Sequence, residues 1–161
     1  MRRVLSLLSV SALVLLGSAA QAQAQTISFP TITLSGQNEN PGVLTGAVGS
    51  ATVSLNLATQ QVTYRVDVFN LPVGATAGHF HVGASGQNGP VVVNFTVPAG
   101  ISNDFGISGT ASATDLVPRA PQGINSWEDF IQALLLGNVY INIHSTNNPG
   151  GEVRGQVPRA Q

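Results

Sequence analysis

"GSATVSLNLATQQVTYRVDVFNL", residues 49 to 71, decides the fold class. Val53, Leu55 and Leu57 alternate with Thr52, Ser54 and Asn56. Val62, Tyr64, Val66 and Val68 then alternate with Thr63, Arg65 and Asp67. Successive side chains of a strand point to opposite faces, so this spacing predicts two strands with one apolar face to bury and one wet face. The short "ATQQ" between them is turn-like, and the pair reads as a β-hairpin.

The same pattern extends outward in both directions. "TISFPTITLSG" (26–36) alternates up to Pro30 and resumes after it. "TAGHFHVG" and "GPVVVNFTV" are strands separated by the turn-rich "ASGQNG", and "FGISGTASA" (105–113) is a glycine-weakened one. "VPRAPQGIN" is a loop by composition. One helix follows. Ser126 can cap it with Asp129 three positions on, Trp127, Phe130, Ile131 and Leu134 fall on one side, and Gly137 stops it. "NVYINIH" and "GEVRGQV" close the chain as strands around "STNNPGG", where Gly150 or Gly151 is expected at positive φ. The expectation is an all-β fold, an antiparallel, Greek-key-like sandwich or barrel of about seven to nine short strands, with one short helix near the C-terminus.

Residues 1–24 read differently. Arg2 and Arg3 precede an apolar run from Val4 to Gly17, and "SAAQAQAQ" offers small-x-small cleavage sites. That is the pattern of a secretory signal peptide cut after Ala22 or Ala24. The run is short beside the ~20 residues of a membrane span, so no span is expected in the mature form. Residues 25–161 then form a single secreted or periplasmic domain. Six arginines less Arg2 and Arg3 leave four against seven acids, a net charge of −3, and there is no lysine. Phosphate recognition needs clustered positive charge, so nucleic acid is excluded as a partner. The absence of cysteine removes disulfides, thiolate catalysis and thiolate metal ligands together.

The chain has three histidines, His79, His81 and His144. His79 and His81 stand two apart in a strand and share a face. Tyr140, Asn142 and His144 share a face opposite Ile141 and Ile143, and Glu152, Arg154 and Gln156 share one opposite Val153 and Val157. One reading is a copper or zinc site of three imidazoles, with Glu152 or Asn142 as a ligand or as the acceptor that orients a ring. The other is that the histidines are ordinary polar residues bonded to loop carbonyls. Glu152 and Arg154 have a structural reading as well, pairing with polar groups across the last hairpin. No nucleophile-elbow or calcium-loop pattern is present, and no catalytic residue is assigned.

"LSGQNENPG" (34–42), "AGHFHVGASGQNGPVVV" (77–93) and "LLLGNVYINIHSTNNPGGEVRGQV" (134–157) together resemble the CHRD domain, a family named from the secreted protein chordin and widespread in bacterial exported proteins. The resemblance covers residues 32 to 157. It departs at Phe80, where Ile or Val is usual, and at Glu39 to Gly42, where Glu-x-Pro-Pro is frequent. It implies an exported, non-catalytic binding or structural module whose partner is an unknown extracellular or periplasmic protein or surface ligand. The His-x-His strand is also similar to that of copper–zinc superoxide dismutase. Three histidines cannot supply that enzyme's four copper imidazoles and separate zinc site, which leaves a mononuclear copper or zinc site, or a copper-dependent redox centre, as the alternatives to a metal-free module.

Overall fold

The computed structural model describes residues 25–98 and 100–161, so the expected signal peptide lies outside the described residues. Among the described residues nine strands and one α-helix follow in the order β1 (Thr26–Ser28), β2 (Ile32–Ser35), β3 (Val48–Asn56), β4 (Gln61–Leu71), β5 (Ala75–Val82), β6 (Val91–Asn94), β7 (Asn103–Ala111), α1 (Trp127–Leu135), β8 (Val139–Ser145) and β9 (Val153–Gln156). All pairings are antiparallel, in the spatial order β6-β5-β8-β9-β2-β3-β4-β7, with β1 also on β3. The sheet curls into a nearly closed barrel. Its two ends are brought together by the segment after β7, where Leu116 bridges Val93 and the Val117 N–H donates to the Val92 carbonyl at 2.8 Å.

The hairpin of residues 49–71 forms as its alternation requires, pairing Val53 with Tyr64 and Leu55 with Val62. Its turn is tied by Asn56, whose Oδ1 accepts from the N–H groups of Ala58 and Thr59 at 2.9 and 3.0 Å. Leu57 departs from the expected pattern. The strand ends at Asn56, and Leu57 enters the turn at 39% exposure. β1 and β2 run along the same neighbour, where Ser28 pairs with Ser54 and Ile32 with Ala51. Four steps on one side match three on the other, a one-residue bulge around Pro30, which has no N–H to give the ladder.

The barrel interior holds Leu34, Leu55, Val62, Val66, Val68, Phe80, Ile141, Ile143 and Val153, all fully buried. Helix α1 adds Trp127, Phe130 and Leu134. Its start is the expected capping box. Ser126 Oγ accepts from the Asp129 N–H at 3.3 Å, and Asp129 Oδ2 accepts from the Ser126 N–H at 3.0 Å. Gly137, at φ +77, ends it. Trp127 Nε1–H donates to the Gln60 carbonyl at 2.6 Å, which fastens the helix to the β3–β4 turn.

β8 departs from the expectation of one wet face. Every residue of it is buried. Ile141 and Ile143 face the barrel interior. Tyr140, Asn142 and His144 face outward, yet lie under the segments 36–46, 83–90 and 145–151. A single sequence carries the alternation of a strand but not which loops will fold over its polar side.

Candidate metal centre

Strand register assembles the polar face. His79 pairs with Asn142, His81 with Tyr140 and Ala77 with His144 across β5 and β8. Asn142 pairs with Arg154 and Tyr140 with Gln156 across β8 and β9. Because β5 and β8 are neighbours, the two histidine motifs, far apart in sequence, meet. One ring nitrogen from each of His79, His81 and His144 lies within 4.8 Å of the other two. His81 and His144 are buried and His79 is partly exposed.

The hydrogen bonds fix which nitrogens carry lone pairs. A carbonyl oxygen only accepts, so His81 Nδ1–H donates to the Gly89 carbonyl at 2.9 Å and His144 Nδ1–H donates to the Pro149 carbonyl at 2.9 Å. Both Nε2 atoms are therefore unprotonated. His144 Nε2 accepts from His79 Nδ1–H at 3.0 Å. His81 Nε2 is buried with no partner among the described residues. A buried, orphaned acceptor is destabilising unless something fills it.

Burial also keeps the rings neutral. It pushes the His79 pKa down to about 4, with help from His144 and His81. It pushes His81 to about 4 as well, against the opposing hydrogen bond to Gly89. His144 is lowered by burial too, against its bond to Pro149. Neutral imidazole is the ligand form.

Two turns place these rings, and the sequence shows them only as turns. In "GQNGP", a Cβ on Gly89 would stand 1.6 Å from the Val82 carbonyl oxygen, so only glycine fits there. That close approach carries the Gly89 carbonyl to both His81 and the Tyr140 hydroxyl, the latter at 3.1 Å. In "NNPGGE", Gly151 rather than Gly150 takes the positive φ, at +139. Glu152 does not stand among the histidines. Its buried carboxylate accepts from Thr45 Oγ1, from Ser145 Oγ at 2.6 Å and from Asn148 Nδ2 at 2.5 Å. Burial pushes the Glu152 pKa up, but these three donors outweigh it and hold the group below the usual carboxylate range. Glu152 thus knots the 145–151 turn that presents the Pro149 carbonyl to His144. Asn142 lies beside His79, and its Nδ2 donates to Glu39 Oε2 at 3.3 Å.

The Tyr140 ring stacks on His81 at 4.8 Å between centroids and 10° between planes. Arg154 lies over the same Tyr140 ring, 3.5 Å from its centroid. No helix among the described residues is long and apolar enough to cross a membrane. Neither a curated protein nor a solved structure matches the chain. The CHRD domain family model matches residues 31–157, most of the sequence and all of the strands that carry the three histidines, and the chain belongs to the CHRD family.

Proposed function

We propose that this protein is an exported, non-catalytic binding module of the CHRD family whose three histidines hold one divalent transition-metal ion, copper(II) or zinc. The observation that carries the reading is the convergence of three neutral ring nitrogens within 4.8 Å, one of them, His81 Nε2, buried and without a partner. Two ligands on one ion with bonds of about 2.1 Å stand about 3.4 Å apart at the tetrahedral angle. Closing the cluster therefore asks the longest nitrogen–nitrogen separation, 4.8 Å at most, to shorten by up to about 1.4 Å. The one contact a cation must replace is the His79–His144 hydrogen bond. The Gly89 and Pro149 carbonyls already hold the His81 and His144 rings with Nε2 unprotonated, the usual role of groups behind a metal ligand.

Imidazole nitrogen suits copper and zinc, and copper(II) is the stronger binder in the divalent series. The burial of His81 and His144 favours holding an ion over turning over a substrate on it. Metal analysis of protein purified without a histidine tag tests the reading, followed by calorimetric titration of the metal-stripped protein with copper(II) and zinc. One ion per chain is expected, lost on His144→Ala. Sub-stoichiometric metal after saturation, or equal binding by wild type and His144→Ala, would return the histidines to a purely structural role.

A further inference from the structure

A second polar feature lies on the same face, beyond the histidines. A cleft of about 500 Å³ opens between residues 33–40 and the turn at Ser85 and Gly86, with Arg154, Gln156 and Glu39 among the side chains lining it. Small-ligand sites span roughly 300–1,000 Å³. Arg154 is 2% exposed, yet no carboxylate oxygen reaches it. Among the described residues the one ion pair is Arg65 with Asp67. The guanidinium donates through Nη1 to Asn88 Oδ1 at 3.1 Å and through Nη2 to the Gln87 carbonyl at 2.8 Å, and it rests on Tyr140. These contacts orient the charge without neutralising it, and a buried charge without a counterion is costly.

Glu39 is the acid that could serve, and its surroundings favour the neutral form. Glu39 Oε1 and Asn142 Oδ1 are both buried acceptors without a donor among the described residues. Both crowd the same glycine. A Cβ on Gly151 would lie 2.6 Å from the first and 2.7 Å from the second. Asn142 Nδ2, 2.5 Å from the same Cβ position, donates to Glu39 Oε2. Protonation would turn one of these two orphaned acceptors into a donor close to the other.

We propose that this cleft binds a small organic carboxylate, which pairs with the guanidinium of Arg154 while Glu39 stands as the neutral acid. A carboxylate matches the planar fork of arginine N–H donors in shape as well as charge. Ionised Glu39 competes for the same guanidinium, so binding is linked to a proton. Burial pushes the Glu39 pKa up to about 7, Arg154 and the Asn142 hydrogen bond oppose the shift, and Glu152 adds to it. Arg154 on β9 and Glu152 just before it are the charged groups facing Glu39. The covering turn contributes only uncharged Ser85, Gly86 and Asn88. His81, which also feels Arg154, stays neutral well above its pKa of about 4.

The test follows backbone amide resonances of the protein as sodium acetate is added, with sodium chloride at matched ionic strength as the control. Saturable shifts are expected at Asn38, Ser85, Gly86 and their neighbours with acetate alone. The neutral fraction of a group half-protonated near pH 7 falls about tenfold between pH 6 and pH 8, so the apparent affinity should fall about tenfold too. Glu39→Gln mimics the neutral acid. It should bind acetate as wild type does at pH 6 and keep that affinity at pH 8. Arg154→Lys keeps the charge but loses the fork, and should bind several-fold more weakly. If that buried substitution unfolds the protein, the Glu39→Gln comparison still decides. Absence of saturable shifts in wild type and Glu39→Gln, equal shifts with chloride, or a wild-type affinity that does not fall with pH would overturn the proposal.

Discussion

The β3–β4 hairpin and the β5–β8–β9 face are built from the same alternating pattern and differ in what covers the second side. On the hairpin, Thr52, Thr63 and Arg65 face solvent while Val53, Val62 and Tyr64 pack inside. On the other face the outward row is His81, Tyr140, Asn142, His144 and Arg154, all buried. Polar side chains on a wet face can be satisfied by water. Under a roof of loops each must find a protein partner or leave an orphan, and the His81, Asn142 and Glu39 orphans all lie on the roofed face. Alternation gives a strand its two faces; burial of the polar one turns it from surface into site.

This contrast can be broken by substitutions, from the largest effect to the smallest. Trp127→Ala should destabilise by about 3–5 kcal/mol in a denaturant melt, because it removes both the core ring and the bond to Gln60. Gly89→Ala should follow at about 2–3 kcal/mol, since the new methyl meets the Val82 carbonyl and the turn must shift. That shift should also weaken metal binding, which Trp127→Ala should not do while the protein is folded. Arg65→Ala on the wet face should change stability by less than about 0.5 kcal/mol, although its ion pair with Asp67 has good geometry. If Arg65→Ala proves as costly as Gly89→Ala, the two faces are not different in the way described.

Acid should also separate the regions. His79 and His81 are pushed from 6.5 to about 4, and His144 is lowered too. The unfolded chain therefore takes up protons first, and their contribution to stability is lost as pH falls from about 6.5 to about 4. Glu39 works in the opposite sense. Its pKa is raised from 4.5 to about 7, so its contribution is present at low pH and lost as pH rises through that window. Equilibrium unfolding at pH 7 and pH 5 should show a net loss on acidification that is steeper in Glu39→Gln than in wild type. An equal loss in both would mean that Glu39 titrates like an exposed carboxylate.

Much of this architecture was legible in the sequence. The hairpin, the capped helix and the last strand pair follow from period two, the Ser126–Asp129 box and the "NNPGG" turn. The shared face of His79 and His81 follows from their spacing alone. Their meeting with His144 does not, because it depends on β5 lying beside β8, a long-range choice with no local signature. Leu57 misled because apolar alternation ran one residue past the end of its strand. Glu152 was legible as a polar partner across the last hairpin, where Ser145 and Asn148 engage it, but its burial and its third donor, Thr45 from a distant loop, were not. The roles of Gly89 and Pro149 were hidden because backbone carbonyls carry them. Glu39 was hidden because its burial comes from a loop folding over a strand.

The central claim is that the three histidines bind one metal ion as a unit, and thermal unfolding with and without metal tests it most directly. An ion that binds only the folded state, at one hundred times its dissociation constant, adds about 2.7 kcal/mol. For a domain of this size that should raise Tm by roughly 5 °C or more. The rise is expected in wild type with zinc, and with copper(II) at lower concentration. It should vanish in His81→Ala, measured against that variant's own metal-free Tm. An equal rise in wild type and His81→Ala, or none in either, would contradict the claim.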